Sequence, residues 1–338
     1  MRNNNNKTFV IAEAGVNHNG SLQIAKKLIV QAAKAGADAI KFQTFIAENL
    51  ASKNAPKANY QKKNTRSKEN QFQMLKRLEF SKEMHLQCIN LCKKKKIIFL
   101  SSAFDLISLK LLSTLKMPFF KIPSGEITNL PYLEYLGKLK KKIILSTGMS
   151  TINEIKSAVA ILVKNGTLKK NITILHCNTQ YPTPFRDANI NAMVDIKKNL
   201  KTEVGYSDHT ISIEASLAAV ALGAKVVEKH FTLNRNLTGP DHKSSLIPKE
   251  FKELVTKIRN VEIALGHGKK KISPSEKNNL KIVRKSIFVS KNIMIGEKFS
   301  YLNLTTKRPA IGICPMQIKK IIGKKAKRCH TKGDILKI

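Results

Sequence analysis

Short apolar segments alternate with longer amphipathic segments along most of this 338-residue chain. The apolar segments are typical of buried strands, and the amphipathic segments have the apolar spacing of helices. The first such pair is Thr8–Glu13 followed by Leu22–Ala35, which stops before Gly36. We predict eight strands: Thr8–Glu13, Ala39–Gln43, Ile97–Ser101, Phe119–Ile122, Lys142–Ser146, Ile172–His176, Glu203–Tyr206 and Ala224–His230.

Eight strand–helix units over roughly 250 residues predict an α/β protein with a TIM (β/α)8 barrel. A doubly wound open sheet is the alternative, but no G-x-G-x-x-G motif follows the first strand. A polar insert from Glu48 to about Gln71 is too long for an ordinary loop, which indicates a functional lid or a mobile excursion. We therefore assign residues 1–265 to a barrel domain, closed by a helix from Pro248 to about Leu265.

The last part of the chain has a different pattern. Residues 266–279 have the polar composition of a linker. In residues 280–338, short apolar pairs alternate with frequent turn signals and no long helix is indicated. This pattern predicts a second, small and mostly β domain.

The formal net charge is +38, because 61 lysines and arginines outnumber 23 acidic residues. A basic nucleic-acid-binding protein is the alternative of a different class that such a charge raises. However, the lysines are spread along the whole chain, tryptophan is absent and no nucleic-acid-binding motif occurs. We therefore predict no specific nucleic acid partner and consider the positive potential suited to anionic substrates.

The cysteines and the apolar runs indicate a cytoplasmic protein. The five cysteines are odd in number and have no second pair at zinc-finger spacing, which favours reduced thiols. No apolar run is long enough to span a membrane, and no signal pattern opens the sequence. We expect no membrane partner.

Nearly every predicted strand ends in polar side chains. Because barrel active sites lie at the C-terminal ends of the strands, these side chains are expected to meet at one mouth. The strand ends and the loops after them carry Glu13, Lys41, Gln43, Ser102, Lys121, Ser124, Glu126, Ser146, Asn178, Tyr181, Ser207, His209, His230 and Asp241. Each residue alone would more often be a cap or turn residue, but their coincidence at one mouth indicates a site.

The residue types at this mouth suggest a particular chemistry. Lys41 and Lys121, with several serine hydroxyls nearby, suit a phosphate together with a carboxylate. His209 and His230 suit a divalent transition metal with open positions, although two loop histidines without a shared role are the alternative. The two glutamates suit proton transfer or the binding of sugar hydroxyls. A Lewis acid beside a phosphorylated, carboxylated substrate points to addition at a carbonyl.

A series of short motifs, taken in order, closely resembles the sialic acid synthase family (N-acetylneuraminate synthase). The motifs are AEAGVNHNGS, KFQTF, FKIPSGE, LSTGM, HCNTQYPTP, GYSDHT, EKHFT, GPDHKSS and KRP. The resemblance covers essentially the whole chain. The C-terminal part resembles that family's SAF domain, which is related to type III antifreeze protein.

The resemblance implies a reaction. Phosphoenolpyruvate would add through C3 to the aldehyde of an open-chain N-acylated mannosamine, here N-acetylmannosamine. Water would attack C2, phosphate would leave by C–O cleavage, and the product would be a nine-carbon sialic acid. The resemblance also implies a divalent metal, usually Mn²⁺ with Mg²⁺ or Co²⁺ as alternatives, and a domain-swapped homodimer whose small domain caps the partner's barrel.

The same motifs imply roles for individual residues. Glu13 and Glu126 would act near the reacting carbons, and His209 and His230 would bind the metal. The residues implied to bind phosphoenolpyruvate are Lys41, Ser102, Lys121, Ser124, Ser146, Asn178 and Ser207. The residues implied to contact the sugar are Gln43, Tyr181, Asp241 and, from the small domain, Arg308.

Several motifs depart from the common family pattern. Ser101–Phe104 reads SSAF where many members read STPF, His176–Thr179 reads HCNT rather than HCTN, and Lys41–Thr44 reads KFQT rather than KHQT. The last two motifs and the long insert resemble members that make legionaminic acid from 2,4-diacetamido-2,4,6-trideoxymannose, which is our alternative substrate. The SGE motif after the fourth strand argues against the pseudaminic acid branch. A related phosphoenolpyruvate-dependent aldol synthase is a further alternative.

Overall fold

A computed structural model describes residues 7–65 and 69–338 of the chain. These residues form two compact units, with the boundary between Gly266 and His267. The polar tail that begins the sequence, and residues 66–68 of the predicted insert, lie outside the described residues.

Within the described residues, eight parallel strands close into a barrel in chain order, with β8 paired to β1. This closure confirms the predicted TIM barrel and excludes the open sheet. The strands β1 to β8 are Phe9–Gly15, Ala39–Thr44, Ile98–Ala103, Phe119–Ile122, Lys142–Ser146, Ile172–Cys177, Glu203–Asp208 and Val226–His230. The third and seventh strands extend two residues beyond the predicted ends, because their polar C-terminal residues still pair within the sheet.

Helices connect the strands. Helices α1 to α12 are Leu22–Lys34, Ala47–Leu50, Asn59–Thr65, Gln71–Leu78, Lys82–Lys95, Leu106–Thr114, Leu130–Lys138, Ile152–Lys164, Phe185–Ala188, Asn191–Leu200, Glu214–Ala221 and Pro248–Ala264. In α1, the Ser21 hydroxyl caps the N-terminus by accepting from the Ile24 amide, and Leu28 and Ile29 are buried. In the described part of the chain, no helix has the length and apolarity needed to cross a membrane.

Apolar side chains fill the lower part of the barrel interior. The cluster consists of Ile11, Ala39, Leu100, Ile144, Leu175 and Val226, with Phe9, Ile98 and Phe119 packed against it. Strand β7 has Gly205 at this level, where a Cβ atom would lie 2.3 Å from the Val226 carbonyl oxygen. Because successive residues of a strand face opposite sides, the next inward positions are two residues further along each strand.

The polar insert after β2 is folded rather than irregular. It contains helices α2 and α3 and leads into α4, which begins with a capping box between Asn70 and Gln73. Apolar side chains of α4, including Met74 and Leu78, pack with Phe45 in a cluster separate from the main core. Helices α2 and α3 were not predicted, because segments of four and seven residues are too short for an apolar face to be recognised in the sequence.

The second unit holds a small domain. After a short 3₁₀ turn, helix α13 (Lys277–Val283) precedes an antiparallel pair of strands, β9 (Ser286–Val289) and β10 (Leu304–Lys307). The predicted linker is therefore helical at its end, because the Ser273 hydroxyl and amide both donate to the Glu276 carboxylate and start a helical turn.

A buried histidine outside the barrel makes acid stability a testable property. The His85 Nδ1–H donates to the Ser81 carbonyl, and Nε2 accepts from the Thr44 hydroxyl, each at 2.7 Å. Burial lowers the pKa of His85 to about 4. The folded state therefore holds His85 neutral, while the unfolded state protonates it below its usual pKa of about 6.5.

We expect this difference to reduce the free energy of unfolding as pH falls from about 6.5 to about 4, by up to roughly 3 kcal/mol. The replacement His85→Gln is expected to make the free energy of unfolding less dependent on pH in this range, by up to about 1.4 kcal/mol per pH unit. Urea unfolding of both proteins at several pH values measures the two slopes. Parallel slopes would contradict the expectation.

Candidate active site

A ring of mostly polar side chains lies at the inward positions directly after the apolar cluster. Each strand contributes one residue, two positions after its apolar member, and neighbouring strands bring these residues into register. The ring consists of Glu13, Lys41, Ser102, Lys121, Ser146, Cys177, Ser207 and Glu228, all buried. The alternation of the strands therefore places the polar set at the base of the barrel mouth.

Two lysines and two glutamates of this ring form a buried ion-pair network. Lys41 Nζ lies 2.8 Å from Glu13 Oε2 and 3.6 Å from Glu228 Oε2. Lys121 Nζ lies 3.3 Å from Glu228 Oε1, to which the Ser207 hydroxyl also donates at 2.9 Å. Each buried charge thus has a partner, which is required for its burial to be tolerated.

The two carboxylates of the network are in different electrostatic environments. Burial raises the pKa of Glu13 well above its usual range, and the neighbouring Lys41 only partly offsets this effect. Burial would also raise the pKa of Glu228, but Lys121, Lys41 and the Ser207 hydroxyl outweigh it and lower that pKa. Glu13 is therefore suited to exchange a proton near neutral pH, whereas Glu228 stays ionised.

His209 and His230 meet beside this network, with ring centroids 5.2 Å apart. Burial lowers the pKa of His209 to about 4 and lowers the pKa of His230 well below its usual value, so both rings are neutral at pH 7. The Nδ1–H of His209 donates to the Asn178 carbonyl, which leaves a lone pair on Nε2. The Ser207 hydroxyl, 3.4 Å from this Nε2, gives its proton to Glu228 and so does not use that lone pair.

These histidines fit a divalent metal. His230 Nδ1 is buried without a hydrogen-bond partner and lies 3.9 Å from Asp241 Oδ2. A neutral ring held by a backbone carbonyl, as His209 is, is the usual state of a metal-binding histidine. Among the described residues, no cluster of three or more His, Cys, Asp or Glu side chains forms a metal site. A metal held by two histidines alone would have several positions open to other ligands.

The network and the histidines line a cavity of about 330 Å³. The predicted site residues that line it are Glu13, Lys41, Gln43, Lys121, Ser124, Ser146, Tyr181, Ser207, His209, His230 and Asp241. The Tyr181 ring packs over His209 with centroids 4.2 Å apart. The Ser146 hydroxyl is buried without a hydrogen-bond partner, as is expected of a group that faces a ligand.

Four predicted site residues do not line this cavity. Ser102, a member of the ring, accepts a hydrogen bond from Lys41 Nζ at 3.0 Å. Glu126 accepts from Asn129 at 2.6 Å. The side chain of Asn178 contacts the backbone of its own loop, so that only its carbonyl reaches His209. Arg308 belongs to the second unit, where its side chain is exposed. The predicted roles of these four residues stay predictions.

Glu228 is the residue that the sequence analysis missed. It precedes the predicted ligand His230 by two positions and was taken as part of an apolar strand. The signal was its position two residues after the inward-facing Val226, where the other strands carry polar residues. This position makes Glu228 the shared partner of Lys41 and Lys121.

Fold and site together define a TIM-barrel enzyme with a small C-terminal domain. Residues 28–270 match the NeuB family, and residues 284–337 match the SAF domain. The chain therefore belongs to the NeuB family, which confirms the predicted resemblance, the enzyme class and the C-terminal SAF domain.

Several known proteins are similar to this chain over most of their length and most of its own. It is 54% identical to N,N'-diacetyllegionaminic acid synthase of Campylobacter jejuni, over 98% of this chain and 99% of that protein. It is 42% identical to the Legionella pneumophila protein of the same name, over 97% and 93%. N-acetylneuraminic acid synthetase of Leptospira borgpetersenii has a crystal structure with a TM-score of 0.71 at 37% identity, covering 82% of this chain and 91% of that one. The first two relatives favour the alternative sugar over our main prediction.

Proposed function

We propose that this chain condenses phosphoenolpyruvate with 2,4-diacetamido-2,4,6-trideoxymannose to give N,N'-diacetyllegionaminic acid and phosphate. The observation that carries the proposal is one cavity in which Lys41 and Lys121 lie beside the neutral pair His209 and His230. The identity of 54% to the C. jejuni protein supports this choice of sugar. N-acetylmannosamine is the second candidate, which the similarity to the Leptospira structure favours.

The base of the cavity suits the two anionic groups of phosphoenolpyruvate. Lys41 and Lys121 supply two positive charges, and charge-assisted hydrogen bonds to them are strong in a buried site. The Ser124 hydroxyl accepts from the Gly148 amide at 2.9 Å and lies 3.4 Å from Cys177 Sγ. The Ser146 hydroxyl has no partner among the described residues. These four side chains would hold the phosphate and the carboxylate.

The proposed reaction delivers a proton to the aldehyde oxygen and removes protons from water. A bond forms between C3 of phosphoenolpyruvate and the aldehyde carbon, whose oxygen takes up a proton. Water then bonds to C2 and gives up one proton, which leaves a hydroxyl on C2. This hydroxyl passes its remaining proton to the departing phosphate as the C2–O bond to phosphate breaks and the C2 carbonyl forms. Glu13 is suited to both transfers, because its raised pKa lets it give a proton to the aldehyde oxygen and later take one from water.

We also propose that His209 and His230 hold a divalent metal, with Mn²⁺ preferred over Mg²⁺ and Co²⁺. A metal bound there would polarise the aldehyde oxygen and so make the aldehyde carbon a better electrophile. Both nitrogens available for binding belong to neutral rings, as metal binding requires. A cytoplasmic homodimer, in which Arg308 of one subunit reaches the sugar in the partner's barrel, completes the proposal.

Phosphate release from phosphoenolpyruvate tests the proposed function. With Mn²⁺ present, release is measured in parallel with 2,4-diacetamido-2,4,6-trideoxymannose and with N-acetylmannosamine. We expect kcat/KM to be at least about 10-fold higher with the diacetamido sugar, since a few altered contacts in a pocket give discrimination of this size. Faster release with N-acetylmannosamine would make the second candidate the better description. No release with either sugar would contradict both.

A further inference from the structure

The cavity has an apolar wall that the proposed chemistry does not use. Six apolar side chains line this part of the cavity: Phe45, Leu50, Met74, Leu75, Leu78 and Phe104. They belong to one apolar cluster, in which Met74 is 1% exposed and Leu78 is fully buried. We call these six residues the apolar wall. It lies on the same cavity as the lysines and histidines described above.

Helices α2 and α4, at the two ends of the polar insert, build most of this wall, and the insert is hydrogen-bonded to the barrel. The Glu79 carboxylate accepts from the Ala47 amide at 2.9 Å, which holds the start of α2 near the end of α4. The amide group of Asn64, in α3, donates to the Pro240 carbonyl at 2.7 Å and so links the insert to the loop after β8. The wall is therefore a defined surface with hydrogen-bonded supports.

The position of the other groups determines what the wall can contact. Phosphoenolpyruvate occupies the lysine base in the proposed reaction, and the aldehyde oxygen of the sugar faces His209 and His230. The sugar chain must then extend away from both toward the remaining lining. In this barrel unit the remaining lining has a polar part, which includes Gln43, Tyr181 and Asp241, and an apolar part formed largely by the apolar wall. The apolar wall is therefore the apolar surface of this cavity that the far end of the sugar can reach.

The two candidate sugars differ most at this far end. The diacetamido sugar carries a methyl group as C6 and an acetamido group at C4, whereas N-acetylmannosamine carries hydroxyls at both positions. Methyl groups gain from burial against apolar side chains. A hydroxyl at the same place loses hydrogen bonds to water that leucine, methionine and phenylalanine cannot replace. The wall thus favours the deoxygenated, N-acylated end.

We infer that the apolar wall determines sugar specificity by selecting 6-deoxy, 4-N-acylated substrates over those with hydroxyls at C4 and C6. The inference rests on the proposed function and identifies the surface responsible for its choice of sugar. Met74 and Leu75 are the residues best suited to test it, because polar side chains of similar length or shape can replace them.

The test compares kcat/KM for the two sugars in the wild type and in the variants Met74→Gln and Leu75→Asn. Both variants are expected to lower the preference for the diacetamido sugar by about 10-fold or more. The KM for phosphoenolpyruvate is expected to change less than about twofold, since the lysine base is unaltered. Met74→Leu, which keeps the wall apolar, is expected to retain the preference.

Phe72→Gln is the matched control, because Phe72 lies on α4 and packs against the same cluster without lining the cavity. A change in preference with Phe72→Gln as large as that in both wall variants would overturn the inference. Unchanged preference in both wall variants would also overturn it, while leaving the proposed function intact. A wild type that prefers N-acetylmannosamine would instead overturn the proposed function, and the inference with it.

Discussion

Replacing His230 with alanine is expected to lower metal-dependent turnover by more than about 100-fold, since loss of a mere supporting partner of a metal ligand already costs 10–100-fold. The barrel is expected to stay folded, because Nδ1 of His230 has no hydrogen bond to lose. Turnover, Mn²⁺ affinity by calorimetry and thermal unfolding measure the three properties separately. Unchanged turnover with unchanged Mn²⁺ affinity would refute the ligand assignment.

His85→Ala is the matched control for this experiment. His85 is equally buried, but both of its ring nitrogens have hydrogen-bond partners, and it packs among Phe80 and Phe99 outside the cavity. Its loss is expected to reduce thermal stability while Mn²⁺ affinity is preserved. His230→Ala would then lose Mn²⁺ affinity and keep its thermal stability, whereas His85→Ala would keep Mn²⁺ affinity and lose thermal stability. This contrast distinguishes a metal ligand from a structural histidine.

The substitution Lys229→Met is expected to destabilise the protein by about 3–5 kcal/mol, since it leaves a buried charge without its partner. Lys229 Nζ lies 3.1 Å from Asp208 Oδ2, and both side chains are fully buried. Lys229 also donates to the Thr210 carbonyl at 2.6 Å, and Asp208 accepts from Ser216 at 2.6 Å. Urea unfolding measures the loss, and a change below about 1 kcal/mol would contradict this account of the pair.

The double variant Asp208→Asn/Lys229→Met separates the charge from the packing. It is expected to be more stable than Lys229→Met alone, because no unpaired charge remains in the core. Asp208 directly precedes His209, and Lys229 directly precedes His230. Because a change in the buried pair is expected to shift both histidines, both variants are also expected to weaken Mn²⁺ binding. Equal stability of the single and double variants would show that lost packing, and not the unpaired charge, dominates.

The barrel could be predicted because each strand is a compact apolar run followed by a helix or loop. The strand ends were harder to locate, since the predicted third and seventh strands stop before the polar residues Ser102, Ser207 and Asp208. In the structure they pair within β3 and β7. Tertiary pairing overrode the local polarity there, and a polar residue on a strand facing the site is typical of a functional position.

Most of the candidate site could also be predicted, because polar residues that end parallel strands meet at one mouth. The role of Glu228 could not, since its charge is balanced only by lysines 187 and 107 positions earlier in the chain, at Lys41 and Lys121. The apolar wall was missed for a related reason. Its members lie just after β2, just after β3, in α2 and in α4, and only the folded chain brings them to one cavity.

The most direct test of the central claim is a competition between the two sugars. The enzyme receives phosphoenolpyruvate, Mn²⁺ and equal concentrations of 2,4-diacetamido-2,4,6-trideoxymannose and N-acetylmannosamine, and mass spectrometry identifies the products at low conversion. The account predicts that N,N'-diacetyllegionaminic acid is the main product and forms in equal amount with phosphate. A predominance of N-acetylneuraminic acid, or phosphate release without any nine-carbon acid, would contradict it.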